Sequence, residues 1–387
     1  MLAYKAKRIY TIGGEHVENG YLRVRDGKIV DVTTAIEAGD TVIEFKNKVI
    51  MPGLIDAHTH LGVWGDGEGA SGYDGNEWSS VASGQVHIMD SINPAQMSFN
   101  TAVEGGVTAA QILPGSSNAI GGLCCVCKTS GKSLGDILIN PCSGLKGATG
   151  ENVKRRHGQI QEHGTLTRMG VASKIKGYFN DVLNYKKDKE NASETQEKFK
   201  IDLRYESGLK VLNKEIPFRI HAHRHDDITT AIRICEQFDI EYSIEHCTDG
   251  HLIPEYLGKR NVVSMIGPGL SSSSKVEAEN YSDENAAILH NAGAQVSLMS
   301  DHPFLNIRYF LHYAAVVHKC GLDFDATLRA ITINPAVALN VDHLVGSLES
   351  GKDCDFIVLG GLPLTLEGRI EKTYINGELK WEREIKK

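Results

Sequence analysis

The stretch "MPGLIDAHTHLG", residues 51–62, decides the fold. It is an apolar run of the kind that forms a buried strand, and it carries His58 and His60 near its end. Successive side chains of a strand point to opposite faces, so these two imidazoles share a face. Two such imidazoles supply half of the tetrahedral shell of a zinc-type ion. The competing interpretation is a pair of core histidines whose ring nitrogens are satisfied by hydrogen bonds.

Three further apolar runs end in residues of the same chemistry. His221 and His223 end "FRIHAH", His246 ends "YSIEH", and Asp301 follows "VSLMS". In a (β/α)8 barrel the carboxyl ends of all strands meet on one face, where such separated positions become neighbours. The recurrence therefore favours a metal site over independent core histidines.

The arrangement of apolar runs predicts an α/β protein. Short, continuously apolar runs alternate with amphipathic helical stretches in the middle of the chain. The sequence near each terminus predicts a β-hairpin, with turns at Asp26-Gly27 and Asn376-Gly377. We expect residues 1–51 and 345–387 to form one composite β-domain. The about 290 residues between them, 52–344, suit a barrel, which typically has about 250.

The composition limits the partners. The chain has 387 residues and a formal net charge of -8, and its basic residues are scattered, which argues against nucleic acid and anionic membranes. Without a signal peptide or a long apolar run, we expect a cytoplasmic protein with reduced cysteines. The cluster "LCCVC", Cys124 to Cys127, has a C-x-x-C spacing, but its apolar setting favours a buried strand over a redox or zinc site. Whether the protein forms a homo-oligomer is left open by the sequence.

Taken together, these motifs resemble the amidohydrolase superfamily. The matching pieces are "MPGLIDAHTHLG", "FRIHAHR", "YSIEHC", "LMSDHP" and the tail "ITINPAVALNVDHLVGSLESGKDCDFIVL", so the similarity spans essentially the whole chain. It is greatest to the imidazolonepropionase-like and dipeptidase-like branch. The resemblance implies a distorted (β/α)8 TIM barrel with a small β-sandwich domain formed from both termini. It also implies a metal-dependent hydrolase of carbon–nitrogen bonds that acts on a small molecule.

The resemblance also implies a set of metal ligands. These are His58, His60, His221, His246 and Asp301. In members with two ions a residue after the fourth strand, usually a carboxylated lysine, bridges them, and here Lys146 holds that place, with Glu151 as the alternative. One or two divalent ions are expected, zinc before manganese, iron or cobalt.

Other residues near these strand ends are candidates for contact with the substrate. His223 shares a face with His221, so it can polarise the substrate carbonyl or orient a ligand. Lys154, Arg155 and Arg224 can bind a carboxylate, or simply lie in solvated loops, and Asn152 lies beside them. Glu77, in the loop after the first barrel strand, can meet a cationic part of a substrate, or it can lie in a surface loop without a chemical role.

The resulting hypothesis is an amidohydrolase that cleaves an amide, a cyclic amide or a dipeptide. Metal-bound hydroxide attacks, and Asp301 accepts the water proton and passes it to the leaving nitrogen. One alternative is deamination of a heterocycle, but deaminating relatives commonly have a glutamate three residues after the strand-5 histidine, where this chain has Arg224. Another alternative is a catalytically silent assembly protein, which usually lacks some of the ligands that this chain retains.

Overall fold

The computed structural model describes residues 1–65, 69–160, 164–196, 198–270 and 275–384, which form two β-sheets with helices around the second. The strands are β1 (Leu2–Ile9), β2 (Val17–Glu18), β3 (Tyr21–Arg25), β4 (Lys28–Thr33), β5 (Thr41–Pro52), β6 (Leu54–Thr59), β7 (Val107–Ile112), β8 (Ile120–Lys128), β9 (Leu138–Ala148), β10 (Phe218–Ala222), β11 (Tyr242–His246), β12 (Val263–Ile266), β13 (Gln295–Leu298), β14 (Phe356–Leu359), β15 (Ile370–Ile375) and β16 (Glu378–Glu382).

The α-helices are α1 (Met97–Glu104), α2 (Leu134–Ile137), α3 (Glu151–Val153), α4 (Arg168–Thr195), α5 (Leu203–Leu212), α6 (His225–Gln237), α7 (Pro254–Gly258), α8 (Asn285–Asn291), α9 (Phe310–Lys319), α10 (Phe324–Ala330) and α11 (Ile333–Ala338). A π-helical segment, Lys154–Ile160, continues α3. The 3-10 segments are Gly69–Gly72, Ile88–Ser91, Gly250–Leu252, Val276–Ala278 and Ile307–Tyr309. In the described ranges, every helix is too short or too polar to cross a bilayer.

The first sheet combines the two ends of the chain. Its order is β16-β15-β14-β5-β1-β3-β4, with β2 paired to β1. The predicted hairpins are confirmed: β3 pairs with β4 and β15 with β16, both antiparallel. Asp26 and Asn376 have positive φ at these turns, as such two-residue turns require. One connected sheet contains all these strands, and their arrangement as a β-sandwich stays a prediction.

The second sheet is the barrel wall, in the order β6 to β13 along the chain. Its pairings are parallel except those of β8, which is antiparallel to both β7 and β9. Only residues 113–119 connect β7 to β8, and a parallel return needs a crossover of about a dozen residues or more. This is the physical origin of the distortion that the family resemblance implies. The TIM-barrel-like α/β fold is confirmed.

Backbone hydrogen bonds join the segment that follows the last barrel strand to the end of the first strand at the mouth. The Asp301 amide donates to the His58 carbonyl over 3.0 Å, and the His60 amide donates to the His302 carbonyl over 3.0 Å. Deeper in the wall, the buried Asp56 carboxylate accepts hydrogen bonds from the Ser300 amide, at 3.1 and 3.2 Å. The two ends of the sheet therefore meet at the residues with metal-ligand chemistry.

The predicted buried strand around the cysteine cluster is β8. Cys124, Cys125 and Cys127 are buried, and burial raises the pKa of the Cys124 thiol to about 12. Thiols with so high a pKa are poor nucleophiles and poor metal ligands at neutral pH. This observation supports a packing role for the cluster.

Two contacts tie the terminal sheet to the barrel. Gly53 separates β5 from β6, and a Cβ atom there would lie 2.1 Å from the Thr108 hydroxyl, so only glycine fits. On β8, the Lys128 ammonium is buried between Asp355, Asp353 at 2.9 Å and Asn376. A buried ammonium is stable only when it is paired in this way.

We expect Lys128→Met to destabilise the fold, because it leaves the buried Asp355 carboxylate without its cation. The free energy of unfolding should fall by about 3–5 kcal/mol, measured by urea denaturation. Lys28→Met is the control: Lys28 pairs with Asp353 at the surface, so its loss should cost less than about 1 kcal/mol. Equal effects of the two variants would contradict a special role for Lys128.

Candidate metal centre

Two imidazoles and one carboxylate converge at the barrel mouth. The Nε2 atoms of His58 and His60 lie 3.5 and 3.3 Å from Asp301 Oδ1. All three side chains are buried, and their ligand atoms lie within 4.8 Å of one another. Asp301 takes φ of 50°, a left-handed conformation that is unusual for a residue other than glycine. The structure thus makes neighbours of His58 and Asp301, which are 243 positions apart in the sequence.

Hydrogen bonds on the far side of each ring aim Nε2 at this point. His58 Nδ1 lies 2.7 Å from the Glu245 carboxylate, and His60 Nδ1 lies 2.9 Å from the Leu113 carbonyl. Because both partners are acceptors, each Nδ1 is the protonated nitrogen and each Nε2 presents a lone pair. This is the arrangement that metal-binding histidines commonly show.

The electrostatics leaves these groups in the protonation states that metal binding requires. Burial, with the nearby Lys146 charge, lowers the pKa of His58 to about 4. Burial alone would raise the pKa of Asp301, but its interactions with His60, His58 and Lys146 outweigh that effect and hold the pKa below its usual value. At neutral pH, His58 is therefore neutral and Asp301 is ionised.

A second cluster lies beside the first and consists of three histidines. His221, His223 and His246 are buried, and each offers a ring nitrogen within 4.8 Å of the others. The ring centroids of His58 and His246 are 5.2 Å apart, so the two clusters adjoin. Burial lowers the pKa of all three members, that of His223 to about 3. These imidazoles are neutral donors at physiological pH.

Lys146 extends from β9 into the space between the clusters. Its ammonium is fully buried, 3.4 Å from His58 Nε2, and burial lowers its pKa. The alternative residue, Glu151, is half-buried at the start of α3, and its backbone amide donates to Glu277. The Lys146 ammonium therefore lies beside a predicted ligand, whereas the contact given for Glu151 is made by its backbone amide.

Glu277 is a buried carboxylate near the histidine cluster that the sequence patterns did not predict. Its Oε1 atom lies 3.7 Å from His221 Nε2 and 3.9 Å from His223 Nε2. Burial raises the pKa of Glu277 to about 7. Glu277 lies in the short 3-10 segment after β12, where no apolar periodicity indicates that a glutamate turns inward.

The clusters open into a cleft of about 290 Å³. One side is a ladder of rings: His60 stacks on Trp64 with centroids 4.3 Å apart, Trp64 on Tyr73 at 5.0 Å, and Tyr73 on Trp78 at 5.3 Å. The Arg156 guanidinium carbon sits 3.3 Å from the Trp78 ring centroid. Together with Arg155 and Lys275, it makes the outer part of the cleft positively charged.

The predicted substrate contacts divide into two groups. Asn152 and Arg155 line the cleft, with the Asn152 amide 2.6 Å from the Ser116 hydroxyl. Lys154, Arg224 and Glu77 are not among the described residues that line it. Arg224 instead pairs with Asp226 at 2.9 Å, and Glu77 accepts a hydrogen bond from the Ser79 amide. Roles for these three stay predictions.

Comparison with known proteins identifies the fold and the family. An amidohydrolase from Thermotoga maritima MSB8, a solved structure, is 35% identical with a TM-score of 0.95, over 99% of this chain and 100% of that one. The chain belongs to the amidohydrolase family. The family model described as "Amidohydrolase family" matches residues 188–380. Membership confirms the resemblance read from the motifs.

Two curated relatives of this amidohydrolase are more distant. The imidazolonepropionase of Thermoanaerobacter pseudethanolicus is 25% identical over 93% of this chain and 91% of its own length. Amidohydrolase tasK of Hapsidospora irregularis is 24% identical over 96% of this chain, which spans 40% of that protein. These relatives and the family match support the prediction of an enzyme that hydrolyses carbon–nitrogen bonds.

We expect Glu245→Gln to weaken metal binding by the amidohydrolase. The neutral amide is a poorer acceptor for His58 Nδ1, and loss of such a partner typically costs about 10–100-fold in affinity. Chelator competition against zinc measures the change. Glu241→Gln, an exposed change next to β11, is the matched control. Equal zinc affinity in the two variants would show that Glu245 does not orient a ligand.

Proposed function

We propose that this amidohydrolase hydrolyses the amide bond of a small cyclic amide or a dipeptide at the barrel mouth. The observation that carries the proposal is the convergence of His58 Nε2, His60 Nε2 and Asp301 Oδ1 on one point of a cleft, beside the three-histidine cluster. A small, partly enclosed cleft suits a small substrate better than a folded protein.

The residues present fit a divalent cation. Nitrogen and carboxylate donors in this proportion suit zinc, and manganese, iron or cobalt are also compatible. Within the described residues, both buried ring nitrogens of His221 lack a hydrogen-bond partner, and a cation bound to one of them would satisfy that nitrogen. A cation bound here would lower the pKa of a water molecule from about 15.7 to near 7 and polarise the scissile carbonyl.

Asp301 is the proposed proton carrier. Its carboxylate is ionised at neutral pH, so it can accept the proton that water loses as the new carbon–oxygen bond forms. It then delivers this proton to the leaving nitrogen as the carbon–nitrogen bond breaks. The backbone hydrogen bond from Asp301 to His58 holds the carboxylate beside the reacting atoms.

Lys146 is the proposed bridging residue, in carboxylated form. Burial favours its neutral amine, the form that reacts with carbon dioxide, and its position between the two clusters suits a bridge. His223 has two sequence-predicted roles, stabilising the oxyanion or orienting a ligand. One of its ring nitrogens also lies within 4.8 Å of a ring nitrogen of His221 and of His246, close enough for His223 to be a ligand itself.

The cleft lining supports a substrate with an apolar group and an anionic end. The Trp64–Tyr73–Trp78 ladder gives the cleft an aromatic wall, and Arg155 and Arg156 offer guanidinium groups that match a carboxylate. An N-acyl amino acid, a dipeptide or a carboxylated lactam has this character.

Two further predictions from the sequence stay proposals. One is a cytoplasmic location, and the other is a barrel that spans residues 52–344 with a β-domain made of residues 1–51 and 345–387.

Asp301→Asn should abolish most turnover. Loss of a general base and acid typically costs about 10²–10⁴-fold in kcat, and the amide retains an oxygen that can still contact a cation. The measurement is kcat on the best substrate, with bound metal determined in parallel. Asp239→Asn, a change at a highly exposed surface carboxylate, is the control. Undiminished kcat in Asp301→Asn would remove this residue as the proton carrier.

The reaction class is tested by a screen of dipeptides, N-acyl amino acids, lactams and aminoheterocycles with the metal-loaded protein. We expect a new carboxylate and a new amine in equal amounts. Ammonia released from a heterocycle would instead establish deamination. Absence of turnover on every class with one or two ions bound would favour the silent assembly protein.

A further inference from the structure

Arg219 is a buried arginine that lies one layer deeper in the barrel than the candidate ligands. It precedes His221 by two residues on β10 and is directly opposite Ser243 on β11, just as His221 is opposite Glu245. Side chains two residues apart on a strand share a face, so Arg219 and Ser243 form the next layer below His221 and Glu245. We propose that Arg219 and Ser243 are positioning residues for the metal centre and act on His58 through Glu245. This inference rests on the proposed function, in which His58 is a ligand.

The first argument is the direction of the hydrogen bonds through Ser243. A guanidinium can only donate, so the Ser243 hydroxyl accepts from Arg219 Nη1, over 3.2 Å. The proton of the hydroxyl is then directed to Glu245 Oε1. The other carboxylate oxygen, Oε2, lies 2.7 Å from His58 Nδ1. The hydroxyl therefore determines how the Glu245 carboxylate is turned toward the His58 ring.

The second argument is charge. Arg219 keeps its positive charge in proteins, yet its guanidinium donates to neutral oxygens, the Ser143 and Ala338 carbonyls and the Ser243 hydroxyl. The same hydroxyl donates to the buried Glu245 carboxylate. Hydrogen bonds to charged groups are about twice as strong as bonds between neutral groups. The two buried charges are therefore coupled through one hydroxyl.

The third argument is that neighbouring elements hold Arg219 in place. A Cβ atom at Gly144 on β9 would lie 2.6 Å from Arg219 Cγ, so a glycine stands where the arginine stem passes. Nη2 donates to the Ala338 carbonyl at the end of α11 over 2.7 Å, and Nε and Nη2 both donate to the Ser143 carbonyl. Because these carbonyls hold the guanidinium, Ser243 faces a donor in a fixed position.

A competing role for Arg219 and Ser243 is purely structural. Arg219 joins β9, β11 and α11, and such contacts can stabilise the fold without any effect on His58. Removal of the Ser243 hydroxyl separates the two roles, because the Arg219 bonds to the Ser143 and Ala338 carbonyls remain. A structural role predicts lower stability with unchanged cation affinity.

The test is Ser243→Ala in the full-length protein, with the zinc affinity of the His58 site measured by chelator competition. We expect the affinity to fall about 10-fold, at the lower end of the range for outer contacts of a ligand. Ser264→Ala is the matched control, because Ser264 is a buried serine on the neighbouring β12 whose hydroxyl bonds to the Val262 carbonyl. The control should bind zinc as the wild type does, and thermal melting shows whether each variant is folded.

A second readout needs no metal. The His58 Nδ1 proton, bonded to a carboxylate, should give a downfield proton NMR signal that is absent from a His58→Asn variant. Ser243→Ala should shift this signal in the metal-free protein, and Ser264→Ala should not. Ser243→Thr keeps the hydroxyl and should restore both the signal and the zinc affinity.

A double-mutant cycle tests whether Ser243 acts through Glu245. In a Glu245→Gln background, Ser243→Ala should have little further effect on zinc affinity, because the carboxylate that the hydroxyl orients is gone. Independent effects of the two changes would overturn the proposal.

Arg219→Lys is a second variant at the other end of the chain of bonds. It keeps the charge but not the planar fork, so it should also weaken zinc binding. Zinc affinity and a His58 signal equal to those of the wild type in folded Ser243→Ala and Arg219→Lys overturn this proposal alone. A wild type that binds no zinc overturns both this proposal and the proposed function.

Discussion

The hydrogen bond between His58 Nδ1 and Glu245, 2.7 Å long and sealed from water, organises the barrel mouth. Burial alone would raise the pKa of Glu245, but the bond from His58 and the charges around it outweigh that effect and keep the pKa below its usual value. The Ser243 hydroxyl binds the same carboxylate, and Arg219 donates to that hydroxyl and to the carbonyls of Ser143 and Ala338. A buried charge is tolerated only when all its partners are in place. This chain of partners fixes the ring that faces Asp301.

The rest of the fold supports this arrangement by closing the barrel at the same place. The backbone bonds between the segment after the last strand and His58 and His60 bring the two ends of the sheet together where the candidate ligands lie. Gly53 and the buried Lys128 hold the terminal sheet against the wall. Because the first barrel strand continues directly from the terminal sheet, the position of His58 depends on both parts of the molecule.

Much of the fold and of the candidate metal site could be predicted from local sequence patterns. Two-residue turns at Asp26 and Asn376 predicted the hairpins, and the period of two along a strand predicted that His58 and His60 share a face. The position of histidines and Asp301 at strand ends predicted that they meet. These inferences work because they depend on backbone geometry that neighbouring residues determine.

What the sequence did not reveal depends on long-range packing or on irregular backbone. Strict alternation would place Glu245 opposite His246, but His246 has φ of 71°, so the regular strand ends there. Glu277 turns inward from a 3-10 segment, and the ring ladder forms within an irregular loop. Arg224 follows a strand end yet pairs with Asp226 outside the cleft, which spacing along the chain does not indicate.

The central claim is that the barrel mouth is a metal site made of nitrogen and oxygen donors. X-ray absorption at the metal edge of protein purified without chelator tests it most directly. We expect nitrogen and oxygen atoms at about 2.0–2.2 Å from the metal, with the outer scattering of several imidazoles. A sulfur shell at about 2.3 Å, which would place the ion on the cysteines, or the absence of any bound transition metal, would contradict it.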